Sequence, residues 1–166
     1  MPDVRLELTG WEELAKKAGP ELFREPMRAM LRKAGSWALN TTRSKTPKDL
    51  YTLATSFTLQ VDRSPMPGWA AVYSNAGHAR PIEYGTGLLS DAPDSKKRRY
   101  FPPGPALQGW AERHGFEDGW DVARAIYRRG GTRKHSMLRD AFAELGGRMN
   151  KYMAEMAREV QKLWGR

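Results

Sequence analysis

The spacing of apolar residues predicts helices at both ends of the chain. Thr9 and Glu12 have the spacing of a capping box, which marks the start of a short first helix. Apolar residues then recur on one helical face from Met27 to Thr42, and Pro47 ends this longer helix because the residue before a proline avoids the helical conformation. A second long stripe steps by threes and fours from Leu138 to Leu163 and predicts an amphipathic terminal helix.

The middle of the chain changes to the two-residue period of strands. Phe57 to Val61 and Trp69 to Tyr73 are rich in strand-forming residues, and the segment between them, Ser64 to Gly68, is rich in turn-forming residues. A third short strand is predicted from Ile82 to Tyr84. Strands enclosed by long helices predict an α+β fold, in which the N- and C-terminal helices pack on a small antiparallel sheet.

A helical insertion is predicted between the sheet and the last helix, at about residues 88–135. It begins with a polar, proline-rich loop from Leu88 to Pro105, which we expect to be mobile and to become ordered on contact with a partner. Two short helices follow, the second ending at Gly130-Gly131. Their large aromatic residues are predicted to be packing residues: Trp110, Trp120 and Tyr127.

The composition fits one globular domain over residues 1–166 and excludes several classes of site. Apolar residues make up 40% of the chain, and no run of them is long enough for a membrane span or for the core of a secretion signal. We therefore expect no membrane association. The absence of cysteine excludes disulfides, zinc–thiolate sites, iron–sulfur clusters and thiol nucleophiles.

The net charge of +9 is concentrated in one segment. From Lys96 to Lys134 the chain has ten lysines and arginines against four acidic residues. Four consecutive cations, Lys96 to Arg99, precede Tyr100 and Phe101. This combination is typical of two kinds of segment. One binds nucleic-acid phosphates while an aromatic ring stacks on a base, and the other is a solvated loop that contacts an acidic protein. The same alternatives, DNA or an acidic partner, apply to Arg128, Arg129, Arg133 and Lys134.

No arrangement of residues typical of an enzyme is visible. The three histidines, His78, His114 and His135, lack the three- or four-residue spacing that places two imidazoles on one helical face for zinc. No phosphate-binding loop with a Lys-Ser/Thr signature is present, and Asp91 and Asp94 are typical of polar turns. We therefore predict that the protein is not an enzyme and has no catalytic residue, cofactor or metal site.

One segment has a distinctive sequence, residues 71–87, which read AVYSNAGHARPIEYGTG. It resembles the pattern V-x-S-N … Y-A-x-x-V/I-E-Y/F-G-T of the tail-completion, or neck, proteins of long-tailed lambdoid-type bacteriophages. The chain departs from that pattern at His78, where an aromatic residue is usual. The resemblance covers roughly residues 5 to 160 and includes Lys45-Thr46-Pro47, Arg99-Tyr100-Phe101-Pro102-Pro103 and Arg129-Gly130-Gly131-Thr132.

The resemblance implies a structural virion protein that joins the head to the tail, is assembled in the host cytoplasm and resides in the virion neck. As a ring-forming connector it would be a homo-oligomer, a hexamer or a dodecamer. Its neighbours would be a portal-proximal adaptor or stopper on one side and a tail terminator or tail-tube protein on the other. A contact with packaged DNA is left open, and no small-molecule substrate is implied.

Two segments are predicted to make the contacts with neighbouring subunits or partners. Glu83 would precede a turn in which Gly85 and Gly87 take positive φ, so that its carboxylate is presented at a sheet edge. The residues expected at the interface are Glu83, Tyr84, Gly85, Thr86, Gly87, Lys96, Lys97, Arg98, Arg99, Tyr100 and Phe101.

Two other functions stay open at the level of sequence. The basic segment 96–134 favours a nucleic-acid-binding accessory protein, whose affinity would fall steeply with salt. A tail terminator protein would form the same kind of ring one layer further along the tail.

Overall fold

The fold is α+β, as the sequence predicts. A computed structural model describes residues 3–7, 18–49, 52–64 and 67–164. Within these residues a three-stranded antiparallel sheet has the order β1–β3–β2, and long helices flank it in the chain. The strands are β1 (Asp3–Glu7), β2 (Phe57–Val61) and β3 (Trp69–Ser74). The helices are α1 (Glu21–Lys45), α2 (Thr52–Ser56), α3 (Ala79–Tyr84), α4 (Gly104–Arg113), α5 (Gly119–Arg129) and α6 (Met137–Trp164).

The central strand β3 organises the sheet. Val72 pairs with Val4 of β1 on one side and with Leu59 of β2 on the other, so that three branched side chains stand in one row. Residues of β3 alternate in burial, because successive side chains point to opposite faces of a strand. Helix α1 packs on β2 and β3, and Phe57 is fully buried in the resulting core.

The strand predicted from Ile82 to Tyr84 is wrong, because this segment belongs to helix α3. Pro81 lies in the first turns of that helix, where its missing N–H costs little. The third strand of the sheet is instead β1, in which Val4 and Leu6 alternate with Arg5 and Glu7. This short alternation is the signal that the prediction missed.

The two long predicted helices are confirmed and pack against each other. In α1 the predicted stripe is buried, and Thr46 has the extended conformation expected before a proline. In α6 the residues Leu138, Leu145 and Tyr152 of the predicted stripe are buried. The capping box predicted at Thr9 and Glu12 lies outside the described residues, as does part of the turn predicted between β2 and β3.

The chain divides into two compact units. The sheet unit comprises Met1–Thr46, Ala54–Asn75 and Met137–Arg166, and the insertion unit comprises Pro47–Leu53 and Ala76–Ser136. The insertion unit contains the predicted short helices, found as α4 and α5, and it begins earlier in the chain than the insertion predicted at 88–135, since it also contains α3. Among the described residues, no helix has the length and apolar character that crossing a membrane requires.

Candidate interaction surface

The distinctive Gly-Thr-Gly sequence forms a tight turn in the insertion unit. Helix α3 ends at Tyr84, and Gly85 leaves it with φ of +74°. Gly87, with φ of +65°, begins a single 3₁₀ turn that ends at Leu89. Both values lie in the left-handed region that glycine adopts without a steric penalty, as the sequence predicts for this turn.

A second glycine-rich segment, Gly130-Gly131-Thr132, lies against this turn. Thr86 N–H donates to the carbonyl of Thr132 at 3.0 Å, and Leu88 N–H donates to the carbonyl of Gly130 at 2.7 Å. Thr132 N–H donates in return to Thr86 Oγ1 at 2.9 Å. We call these two segments, residues 85–88 and 130–132, the Gly-Thr clasp.

The glycines of the clasp are required by the close approach of the two backbones. A Cβ on Gly87 would collide with the carbonyl oxygen of Gly130, and one on Gly131 would collide with that of Thr86. A Cβ on Gly85 would lie 2.6 Å from the carbonyl oxygen of Thr132. Any larger residue at these positions would therefore push the segments apart.

Glu83 is not presented at a sheet edge, and that prediction is wrong. The residue belongs to a helix and only 1% of it is exposed. Of the predicted interface residues nearby, Gly85 is buried, whereas Tyr84, Thr86 and Gly87 are half-buried. The role of this segment in subunit contacts stays a prediction, and its observed role is to hold the insertion unit together.

The basic loop after the clasp is attached to the rest of the insertion unit by two of its four cations. Lys97 Nζ donates to the carbonyl of Ser90. Arg99 Nη1 donates at 3.1 Å to the carbonyls of both Tyr127 and Arg128 at the C-terminal end of α5, where the last carbonyls of a helix lack intrahelical donors. Arg99 is therefore a helix-capping residue, which the sequence analysis did not foresee. The expected mobility of this loop stays a prediction.

The remaining cations separate into paired and unpaired groups. Among the described residues of the insertion unit, ion pairs join an Asp to a cation at Asp49–Arg113, Asp91–Lys134, Asp94–Arg80 and Asp121–Arg124. Arg113 holds the pKa of Asp49 below its ordinary value of 3.8, and Arg80 does the same to the pKa of Asp94, because each guanidinium donates to the ionised carboxylate. The cations whose side chains make no hydrogen bond or ion pair with the described residues are exposed: Lys96, Arg98, Arg128, Arg129 and Arg133.

Three exposed aromatic rings form a cluster beside Arg99. Phe101 stacks on Trp120 with ring centroids 6.0 Å apart and meets Tyr127 edge to face at 5.6 Å. The Arg99 guanidinium lies over the Tyr127 ring at 5.6 Å. Each ring stays more than a third exposed. Trp120 and Tyr127 thus pack as predicted, but they pack at the surface and not in a core.

A second aromatic cluster lies at the other end of α4. Trp110 stacks on His114 with ring centroids 4.0 Å apart and on Phe116 at 5.9 Å, and Phe116 is 47% exposed. Trp110 and His114 are one helical turn apart, a spacing that brings side chains together on one face. That spacing was the available signal for this cluster, which the sequence analysis did not identify.

A cleft of about 570 Å³ lies between the clasp and the end of α5. The cleft is lined by the apolar residues Leu89 and Ile126 and by Arg129 and Arg133. Thr132 of the clasp also lines it. Among the described residues, no group of three or more acidic or imidazole side chains could hold a metal ion.

Comparison with models of known protein families, with curated proteins and with solved structures found no match to the chain.

Proposed function

We propose that the chain is a structural bacteriophage protein that joins head to tail, a neck or tail-completion protein acting as the subunit of a ring. The observation that carries the proposal is the Gly-Thr clasp. Two segments of the resemblance, Glu83 to Gly87 and Arg129 to Thr132, are far apart in the chain but are joined by direct backbone hydrogen bonds. Their sequences therefore serve one structural purpose in this fold.

The surface of the insertion unit supports a role in protein contacts. Exposed aromatic residues and unpaired arginines are the residue types enriched in protein interfaces. The proposal places the insertion unit against neighbouring copies and against the adjoining layers of the neck, which are a portal-proximal adaptor or stopper and a tail terminator or tail-tube protein. A ring of these subunits forms when each copy makes the same contact with the next.

The direct test is electron microscopy of phage particles that lack this protein. We expect filled heads and separate tails, and joined particles when the wild-type chain is supplied from a plasmid. Normally joined particles in its absence would contradict the proposal.

A second candidate is a nucleic-acid-binding accessory protein, favoured by the three exposed rings beside Arg99. The test is DNA binding as a function of salt, with Lys96→Gln and Arg98→Gln combined, because these two side chains make no hydrogen bond or ion pair with a described residue. A steep salt dependence that this double variant reduces would favour the candidate. Weak binding that is indifferent to the substitutions would favour the neck protein.

A further inference from the structure

The cleft between the Gly-Thr clasp and the end of α5 combines an apolar lining with positive charge that no described residue neutralises. Its volume of about 570 Å³ lies within the range of about 300–1,000 Å³ that is typical of ligand sites. We propose that this cleft binds a short acidic peptide segment of a partner protein, with an aliphatic side chain in the cleft and carboxylates beside its two arginines. The inference rests on the proposed function, in which an adjoining neck protein supplies the segment.

The apolar part of the lining suits an aliphatic side chain. Leu89 lines the cleft and is 41% exposed, and Ile126 lines it and is half-buried. An aliphatic group that covers these two residues removes apolar surface from water, which stabilises a complex in proportion to the area buried. The cleft therefore favours a ligand with an aliphatic group over a fully hydrated ion such as phosphate.

Two arginines supply the positive charge. Arg129 and Arg133 line the cleft, both are exposed, and neither forms an ion pair or hydrogen bond with a described residue. An arginine can lay its methylene groups along apolar surface while its guanidinium stays in water, so these residues can extend the apolar lining and place charge at its margin. Because a guanidinium binds a carboxylate through paired N–H donors, an acidic segment is the complementary ligand.

Hydrogen bonds fix the backbone around the cleft before a partner binds. Gly131 N–H donates to the carbonyl of Ile126 at 2.9 Å, which closes the C-terminal end of α5. In the other segment of the clasp, Leu88 N–H donates to the carbonyl of Gly130 at 2.7 Å, and the next residue, Leu89, ends the 3₁₀ turn. A preformed site loses little conformational entropy on binding, which favours a specific contact.

The lining favours a peptide over a nucleic acid. Proteins that bind single strands stack the bases on aromatic rings, and the described residues that line this cleft include no aromatic residue. The three exposed rings of Phe101, Trp120 and Tyr127 are not among them. A phosphate backbone would neutralise the arginines but would leave Leu89 and Ile126 without an apolar partner. An acidic peptide with an aliphatic side chain satisfies both parts of the lining.

The test measures the binding of a fluorescently labelled, end-blocked peptide by anisotropy. The probe peptide has two leucines flanked on each side by two aspartates, and two control peptides replace either the leucines by serine or the aspartates by asparagine. Both control peptides should bind the wild-type chain about fivefold or more weakly than the probe does. Arg129→Gln combined with Arg133→Gln should weaken binding of the probe by about tenfold or more, because two charge-assisted contacts are lost.

The matched control is Arg32→Gln combined with Arg63→Gln. These two arginines belong to the sheet unit, are exposed and form no ion pair or hydrogen bond with a described residue, so this variant loses the same net charge but no residue of the cleft. Its affinity for the probe should stay within about twofold of the wild-type value. Leu89→Ser should weaken binding of the probe by about fivefold or more and leave binding of the serine peptide unchanged. Circular dichroism verifies that each variant is folded.

Three outcomes would overturn the proposed site. The first is that the wild-type chain does not bind the probe. The second is that both double variants weaken binding equally, which would show only the general attraction of a basic protein for an acidic peptide. The third is that a single-stranded oligonucleotide binds more tightly than the probe and loses as much affinity in the cleft variant, so that the cleft serves nucleic acid. Failure of the proposed function is recognised separately, by particles that join normally without the protein, because the peptide measurement uses no particles.

Discussion

The hydroxyl groups of Thr86 and Thr132 lie 2.9 Å apart, and each residue also bonds to the backbone of the other. These residues are 46 positions apart in the chain. Their reciprocal contacts are the centre of the Gly-Thr clasp, and they link the segment after α3 to the segment after α5. The clasp therefore fixes the base from which the basic loop and helices α4 and α5 extend.

Replacement of Thr86 by Val should destabilise the insertion unit by about 1–3 kcal/mol, because it removes the acceptor of a partly buried N–H, that of Thr132. Thr132→Val removes only the hydroxyl contact and should cost less. Urea denaturation followed by circular dichroism measures both variants. Equal losses would contradict the unequal roles that the hydrogen bonds give to the two hydroxyls.

Replacement of Gly87 by Ala should destabilise the protein by at least about 3 kcal/mol, because strain at positive φ is added to a collision with the Gly130 carbonyl. Gly115 is the matched control, since it has φ of +77° with no atom within 4 Å of an added Cβ. Gly115→Ala should therefore lower the free energy of unfolding only through strain at positive φ, by about 1–2 kcal/mol. Thermal unfolding of both variants measures the difference, and similar melting temperatures would contradict the close packing of the clasp.

Stability should decrease in acid because the pKa values of Asp49 and Asp94 are lowered in the folded state. A carboxyl group with a lowered folded-state pKa stabilises the fold fully above its unfolded value of 3.8, and the contribution is lost as the pH falls through the folded value. Urea midpoints measured from about pH 6 to about pH 3 should fall at the acid end. The variants Asp49→Asn and Asp94→Asn should show a shallower fall, and an unchanged slope would contradict the two ion pairs.

Arg99→Gln should release the basic loop, because it removes both hydrogen bonds to the end of α5. Limited trypsin digestion should then cut the loop about threefold faster or more than in the control Arg98→Gln. The control also loses one trypsin site, but the Arg98 side chain forms no hydrogen bond or ion pair within the part of the chain that the structure describes. Equal cleavage rates would show that Arg99 does not restrain the loop, which would favour the expected mobile loop that orders on assembly.

The sequence predicted the long helices because their apolar period extends over many residues, and it predicted β2 and β3 because strand-forming residues flank a segment rich in turn-forming residues. Helix α3 has only six residues, and Ile82 and Tyr84 fit a strand as well as one turn of helix. Strand β1 is as short as β2 and its partner β3 is distant in the chain, so no local hairpin pattern indicates it. The conformation of Gly85 and Gly87 was predicted from glycine chemistry alone. Their partner segment was not, because no local pattern indicates which distant backbone approaches a glycine.

The run of cations was visible in the sequence, but the sequence did not indicate which of them bind to other parts of the fold. The run from Lys96 to Arg99 looks uniform, yet Lys97 and Arg99 bind backbone carbonyls, while Lys96 and Arg98 have no ion-pair or hydrogen-bond partner among residues 3–7, 18–49, 52–64 and 67–164. Such a distinction depends on which acceptors the fold brings within reach of each side chain. This distinction determines which substitutions test the binding of a partner and which test only the stability of the fold.

Native mass spectrometry of the purified protein, alone and mixed with the adjoining neck proteins, measures self-assembly most directly. We expect a closed ring of six or twelve copies in at least one of these conditions. Monomers in both conditions would contradict the account.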